Sequence, residues 1–331
     1  MKSIRKSVAI AATLFASLSV NSTLAQEQVL SSVSFLPASS DITIAFLNFV
    51  DDVNEQGKGI VRIDFRGGPE ALPAERIGQS VQSGVIDMAY VTPGRFTGIV
   101  PEADALLGTN LSMEELRSNG AIELLDSRLR ERMNSHLLGV FFSGTGFHMF
   151  LSERPEFDSE GMPAFNGMPL RTSATYREFI DELGGVSVGI SAGEIYTSIE
   201  RGVVKGYGWP EYGVLDLGVG ELTKYRLDPS FFNANNVVII NQRKWESLSE
   251  EAQELLTRLA QEHEVISTDF IKGIAEAEKQ SLMDMGMEIL EVEIEPEVYQ
   301  ARAMEVVWDR IGTRAPANVS EYRRLFFKEL E

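Results

Sequence analysis

The amino-acid sequence predicts an α/β fold in two lobes, each a mixed sheet flanked by helices. Three observations carry that expectation: strand-like and helix-like segments alternate in two series, a turn-rich stretch separates the series, and 331 residues exceed the roughly 250–300 that one hydrophobic core organises. Such alternation gives largely parallel strands, and ligands of parallel sheets bind beyond the carboxyl ends of strands.

At the start, Lys2, Arg5 and Lys6 precede an apolar run from Val8 to Val20, and Thr23-Leu24-Ala25 has the small residues of a signal-peptidase site. The run is too short to span a bilayer, so residues 1–25 read as a cleavable signal peptide. Its removal leaves 306 residues and takes the net charge from -19 to -22, because three cations leave with it. No second apolar stretch of spanning length follows. The chain is expected to be exported rather than membrane-embedded, and the absence of Cys fits a periplasmic location.

In the first series, Val33 to Leu36 is strand-like, Ile42 to Asn54 has helical spacing, Ile60 to Phe65 alternates as a strand, Ala74 to Ser83 is a helix ending at Gly84, and Val85 to Tyr90 is a buried strand. Ser112 to Glu115 is a capping box for a helix reaching Asn134, and Leu137 to Ser143 is the next strand. Gly144-Thr145-Gly146 reads as a turn. Ser152 to Met168 is the connection. The second series has a strand at Leu170 to Thr172, a capping box at Thr175 to Glu178, a strand at Val186 to Val188, a capping box at Ser191 to Glu194, and strands at Val203 to Trp209 and Phe231 to Asn241. Ser247 to Glu250 opens a helical stretch to about Met285, long enough to cross both lobes. The expected division is residues 26–146 with about 237–276 in lobe 1, and 147–236 with about 277–331 in lobe 2.

Composition narrows function. With no Cys and three His there is no thiol nucleophile or thiolate zinc site, and no two His are spaced to share a metal, so neither a metal nor a cofactor is expected. His148, beside Phe147, Met149 and Phe150, reads as a packed histidine, and His136 as a residue near a helix end. Nucleic acid is an unexpected partner, since 49 acidic residues oppose 30 basic ones and phosphate affinity comes largely from Lys and Arg. Gly189-Ile190-Ser191-Ala192-Gly193 matches the G-x-S-x-G elbow of serine hydrolases. Its downstream imidazole is His263, in the middle of the long helix and not in a loop at a strand end where a catalytic base belongs, and the reciprocal cap with Glu194 explains Ser191 fully. Arg171 stands at the carboxyl end of a strand, where a guanidinium can hold a carboxylate through two parallel bonds. A structural ion pair is the alternative at that point.

Several blocks together resemble the solute-binding proteins of tripartite ATP-independent periplasmic (TRAP) transporters, of the dicarboxylate-receptor type. They are Phe165-Asn166-Gly167-Met168-Pro169-Leu170-Arg171, Leu183-Gly184-Gly185, Glu194-Ile195-Tyr196, Arg201 to Gly206, Gly84-Val85-Ile86-Asp87-Met88, and Trp245 to Leu255. The resemblance covers nearly all of the mature chain. It implies a two-lobed periplasmic binding protein fold (type II-like), a long helix behind both lobes, and a cleft closing on an organic anion for delivery to an ion-gradient-driven TRAP permease, with no chemical turnover. Arg171 aligns with the family's carboxylate-gripping arginine. Trp209 stands where many members have a ligand-bonding Asn, which implies a less polar or aromatic ligand, and Ala192 leaves room for the indole. Phe147 lies near the place of a second family arginine. Tyr90, Tyr212 and Ser39, with Ser40 and Asp41, are further candidates for the cleft, and Glu70 faces either the cleft or solvent. The expected protein is monomeric, and the competing readings are a secreted hydrolase at Ser191 and a solute-sensing subunit.

Overall fold

A computed structural model describes residues 27–328; the expected signal peptide lies outside them. The first series forms β1 (Gln28–Ser34), α1 (Asp41–Gln56), β2 (Val61–Phe65), α2 (Ile77–Ser83), β3 (Met88–Val91), α3 (Met113–Ser118), α4 (Ala121–Met133) and β4 (Ser135–Leu151). A small hairpin, β5 (Glu156–Phe157) and β6 (Pro163–Ala164), occupies the connection. The second series forms β7 (Pro169–Thr172), α5 (Arg177–Glu182), β8 (Val186–Gly189), α6 (Ile195–Glu200), β9 (Gly206–Pro210) and β10 (Tyr225–Asn241). The chain ends with α7 (Gln242–Glu246), α8 (Glu250–Asp284), β11 (Glu288–Glu291), α9 (Pro296–Arg314) and α10 (Val319–Phe326).

Local chemistry explains the regular elements. Ser40 caps α1 by accepting from the Thr43 amide, and Ile42, Ala45, Phe46, Phe49, Val50 and Val53 repeat at helical spacing on its buried face. Ser112 and Glu115 cap α3 reciprocally, as the spacing predicts. Gly120, at φ 84°, then interrupts the expected single helix and separates α3 from α4. Thr175 does not cap α5, which begins after Tyr176 without a side-chain cap.

The sheet order is β2-β1-β3-β10-β4-β9-β7-β8, with β11 beside β10. β1 pairs in parallel with β2 and β3, and β7 with β8 and β9. The two parallel sets are stitched together by antiparallel β4 and β10, each 17 residues long. The first half of β4 pairs with the end of β10, beside β3; its last residues pair with β9 and the start of β10.

Gly144-Thr145-Gly146 is therefore no turn but the middle of β4. Gly144 does take the left-handed conformation, at φ 81°, that suggests a turn in sequence. Here it bends a continuing strand, and the β4–β10 register shifts nearby, between Ala234 and Asn236. The irregularity falls where both strands pass from one parallel set to the other.

The long helix α8 runs 35 residues through Gly273, about 52 Å at 1.5 Å per residue. Glu264 accepts from the Val140 amide of β4 and pairs with Arg117. Farther along, Glu278 accepts from the Gly213 and Leu215 amides, and Leu282 joins the second core with Ile195 and Tyr207. One helix thus braces both halves. Within the segment after 277, Leu282 and β11 stay with the second series, β11 pairing with the start of β10, whereas α10 packs on α4 and on the turn Pro101–Leu106, with the Asn119 side chain donating to the Leu325 carbonyl and Tyr322 to Leu124. The apolar stripe Tyr322, Leu325 and Phe326 finds its cover there, so contact and not chain order decides the assignment.

Candidate functional site

Between the two halves lies a cavity of about 710 Å³. The β1–α1 connection and the segment after β3 form one wall, the ends of β7, β8 and β9 form the other, and the middles of β4 and β10 form the floor. The carboxyl ends of parallel strands point to it from both sides.

Arg171 is the centre of the second wall. β7 carries it in parallel register with Val188 of β8 and Tyr207 of β9, and it is only 7% exposed. Nε donates to the Ile190 carbonyl (2.9 Å) and Nη1 to the Tyr176 hydroxyl (2.8 Å), which donates onward to the Gly208 carbonyl (2.9 Å). The Tyr176 hydroxyl is pushed above its usual pKa by burial, against the pull of Arg171. Trp209 lies 5.6 Å from the guanidinium carbon, a cation–π distance. These contacts orient the guanidinium, and among the described residues Nη2 has no hydrogen-bond acceptor. Among the described residues no carboxylate forms an ion pair with Arg171, so the alternative of a structural ion pair drops out. A buried cation held by neutral groups is costly unless an anion arrives.

Phe147, Trp209 and Tyr212 also line the cavity. Phe147 packs 6.3 Å from Tyr176 and 6.2 Å from Phe231. Tyr212 presents its ring; its hydroxyl is turned to Thr145 and, being buried, is raised in pKa, so it is no polar tip in the cleft. Ala192 lines the cavity as well.

Three other candidates lie elsewhere. Tyr90 is fully buried in the first core, stacked on Phe46 at 4.9 Å, because strand alternation points it inward. Glu70 is exposed and closes its own turn by accepting from the Gly68 amide at 2.6 Å, which holds its carboxyl below the usual range. Ser39 is exposed outside the cavity, one residue before the α1 cap. Asp41 opens α1.

The structure adds residues that sequence reasoning missed. Asn235 and Asn236 line the floor from β10; Asn235 is spent on the Leu106 carbonyl, whereas the Asn236 amide lies beside the Tyr90 hydroxyl. Their signal was the adjacent pair of amides that, with Asn233, interrupts the apolar strand Phe231 to Ile240. At the rim are Arg177, which is exposed, and Arg95, which pairs with Glu75 at 2.7 Å. Three arginines against one glutamate make the cavity lining positive within a strongly acidic chain.

Ser191 has no catalytic company. Its hydroxyl donates to Glu194 (2.5 Å) in the expected capping box. His263 is buried against Asp52 (2.7 Å), and His136 is stacked on Trp245 and bonded to Asp126. His148 is more than a packed residue: it bonds Asp228 at 2.9 Å and faces Glu211 at 3.9 Å. Among the described residues no three or more of His, Asp and Glu gather as a metal site.

The family model for bacterial extracellular solute-binding protein, family 7, matches residues 32–314. A solute-binding protein of Chromohalobacter salexigens is 24% identical over 250 residues, 72% of this chain and 71% of that one. Two solved structures share the fold. An extracytoplasmic solute receptor of Bordetella pertussis binding pyroglutamic acid superposes with a TM-score of 0.75 at 16% identity, over 90% of this chain and 99% of that one. A TRAP periplasmic solute-binding protein of Chromohalobacter salexigens with bound D-glucuronate gives a TM-score of 0.75 at 21% identity, over 89% and 99%.

Proposed function

From the premise that this chain belongs to the bacterial extracellular solute-binding protein family 7, we propose that it captures a small organic acid between its lobes, with Arg171 holding the carboxylate. The chain is a solute receptor of the TRAP type; the hydrolase reading has no support, since Ser191 is a capping residue without an imidazole partner.

The observation that carries the ligand role is the buried, oriented and uncompensated Arg171. Its Nη2 and the ring of Trp209 offer one charged and one flat apolar surface, and Phe147 adds a second apolar ring to the lining. Lobe closure stabilised by the ligand's extra affinity for the closed form is the expected mode of capture. Delivery of the acid to a membrane permease, export by residues 1–25, and a monomeric state complete the reading. That no described helix is long and apolar enough to cross a membrane is compatible with it.

Titration calorimetry with pyroglutamate and D-glucuronate as first probes, backed by a thermal-shift screen of mono- and dicarboxylates, tests it. Arg171→Gln should lower affinity roughly 100-fold or more, the scale for truncating one member of a buried charge pair, with a near-native melting temperature. Stabilisation by neutral compounds alone, with every acid inert, overturns it.

A further inference from the structure

We infer that the cleft selects acids that carry no ammonium group: it takes compact, largely apolar carboxylates whose second polar group is neutral, and it rejects zwitterionic amino acids. The inference rests on the organic-acid reading and concerns what surrounds the carboxylate once Arg171 holds it.

An α-amino acid places its ammonium one carbon from its carboxylate, so the group enters the cavity with the anion and loses water with it. It then needs a protein carboxylate or several carbonyls as partners. Among the described residues lining the cavity, the one carboxylate is Glu75. It stands at the exposed rim, its side chain 72% exposed, and it is already paired with Arg95.

Two acids behind the walls are committed elsewhere. Glu211 faces His148 and accepts from the Gly146 amide at 3.3 Å, while Glu178 accepts from Arg310 at 3.1 Å. The Ile190 carbonyl beside Arg171 already accepts from its Nε. An ammonium would therefore sit next to the Arg171 cation and the apolar faces of Trp209 and Phe147 without an acid to meet it. The amide of Asn236 on the floor lies beside the Tyr90 hydroxyl, and the hydrogen-bonding capacity an amide keeps beyond one such contact suits a neutral hydroxyl, oxo or lactam group. A second carboxylate on the ligand is treated differently. Among the described lining residues the remaining rim cation without an ion pair, Arg177, is exposed, and exposed pairs contribute little, so a second acid group should change affinity only a few-fold.

Matched probes that differ chiefly in the amine test this by calorimetry on the mature protein and on Arg171→Gln: pyroglutamate against L-proline, and 3-phenylpropionate against L-phenylalanine. The non-amino acid of at least one pair should bind, and its zwitterionic partner should bind at least about 100-fold more weakly, the penalty for a buried unpaired charge. Binding of proline or phenylalanine within tenfold of its partner, in an Arg171-dependent manner, overturns the selectivity and leaves the organic-acid reading standing. Acid binding that survives Arg171→Gln, or no response to any carboxylate, overturns that reading and the selectivity with it.

Discussion

Arg310 offers the sharpest test of how the two halves are held together. It projects from α9 with its side chain 5% exposed and donates Nε to Asp104 at 2.8 Å, an aspartate itself 4% exposed. Its Nη1 donates to the Thr175 carbonyl at 2.9 Å, in the loop that follows Arg171 and lines the cavity, and to Glu178 of α5 at 3.1 Å. One guanidinium thus ties a turn of the first series to a wall of the second. Arg310→Met keeps the aliphatic bulk and strands Asp104 in the interior. Breaking a buried pair from one side costs about 3–5 kcal/mol, which at about 2 °C per kcal/mol for a protein of this size lowers the melting temperature by roughly 6–10 °C. Asp104→Asn in the same chain should restore much of the loss, giving a non-additive cycle. The pH sign is also determined. Burial raises the Asp104 carboxyl above its ordinary value even with Arg310 pulling it down. Without Arg310 it rises further, so the folded variant binds a proton that the unfolded chain at the same pH does not. Its deficit against the native protein should therefore shrink as pH falls from 7 towards 5. Differential scanning calorimetry of the four proteins at both pH values decides the matter. A loss under about 2 °C, additive single effects, or a deficit independent of pH refutes the reasoning.

Two further outcomes concern His148 and Gly208. Burial works against a charge on His148, but the bonds to Asp228 and Glu211 outweigh it and raise its pKa. The pair's contribution to stability is fully present below about pH 6.5, the ordinary histidine value, and is lost as pH rises through the higher folded value. His148→Gln should thus flatten the decline in chemical-denaturation midpoint above pH 6.5, and an unchanged slope would contradict it. At Gly208 an added methyl would meet the Tyr176 ring at 2.7 Å, so Gly208→Ala should displace the tyrosine that orients Arg171. Overpacking of this kind costs about 1–3 kcal/mol, and acid affinity measured by calorimetry should fall while the chain still folds; native affinity would show that Tyr176 has no part in orienting Arg171.

Legibility in the sequence followed the range of the interactions. Capping boxes such as Ser112 with Glu115 and Ser191 with Glu194 formed as read, because every partner lies within one helical turn. The strand-end position of Arg171 was equally local. The box at Thr175 failed, and the reason is tertiary: the adjacent Tyr176 is drawn under Arg171 and Gly208, which sets the backbone where α5 begins. The turn at Gly144 failed for a related reason. A left-handed glycine is a local fact, but whether the chain reverses or continues depends on a partner strand 89 residues away, here Ala234 opposite Thr145.

By itself the sequence determined the two αβ series, the long helix, the acidic chain without thiols, and an arginine at the end of a parallel strand. These rest on periodicity, composition and contacts between near neighbours. Tertiary structure alone decided that β4 and β10 run through both halves, that α10 returns to the first, and that Tyr90 and Glu70 lie away from the cleft while Asn236 lines it. It also decided the point on which the proposed function turns. Whether Arg171 is neutralised depends on every acid that folding brings near it, and no spacing along the chain reveals that none of the described ones arrives.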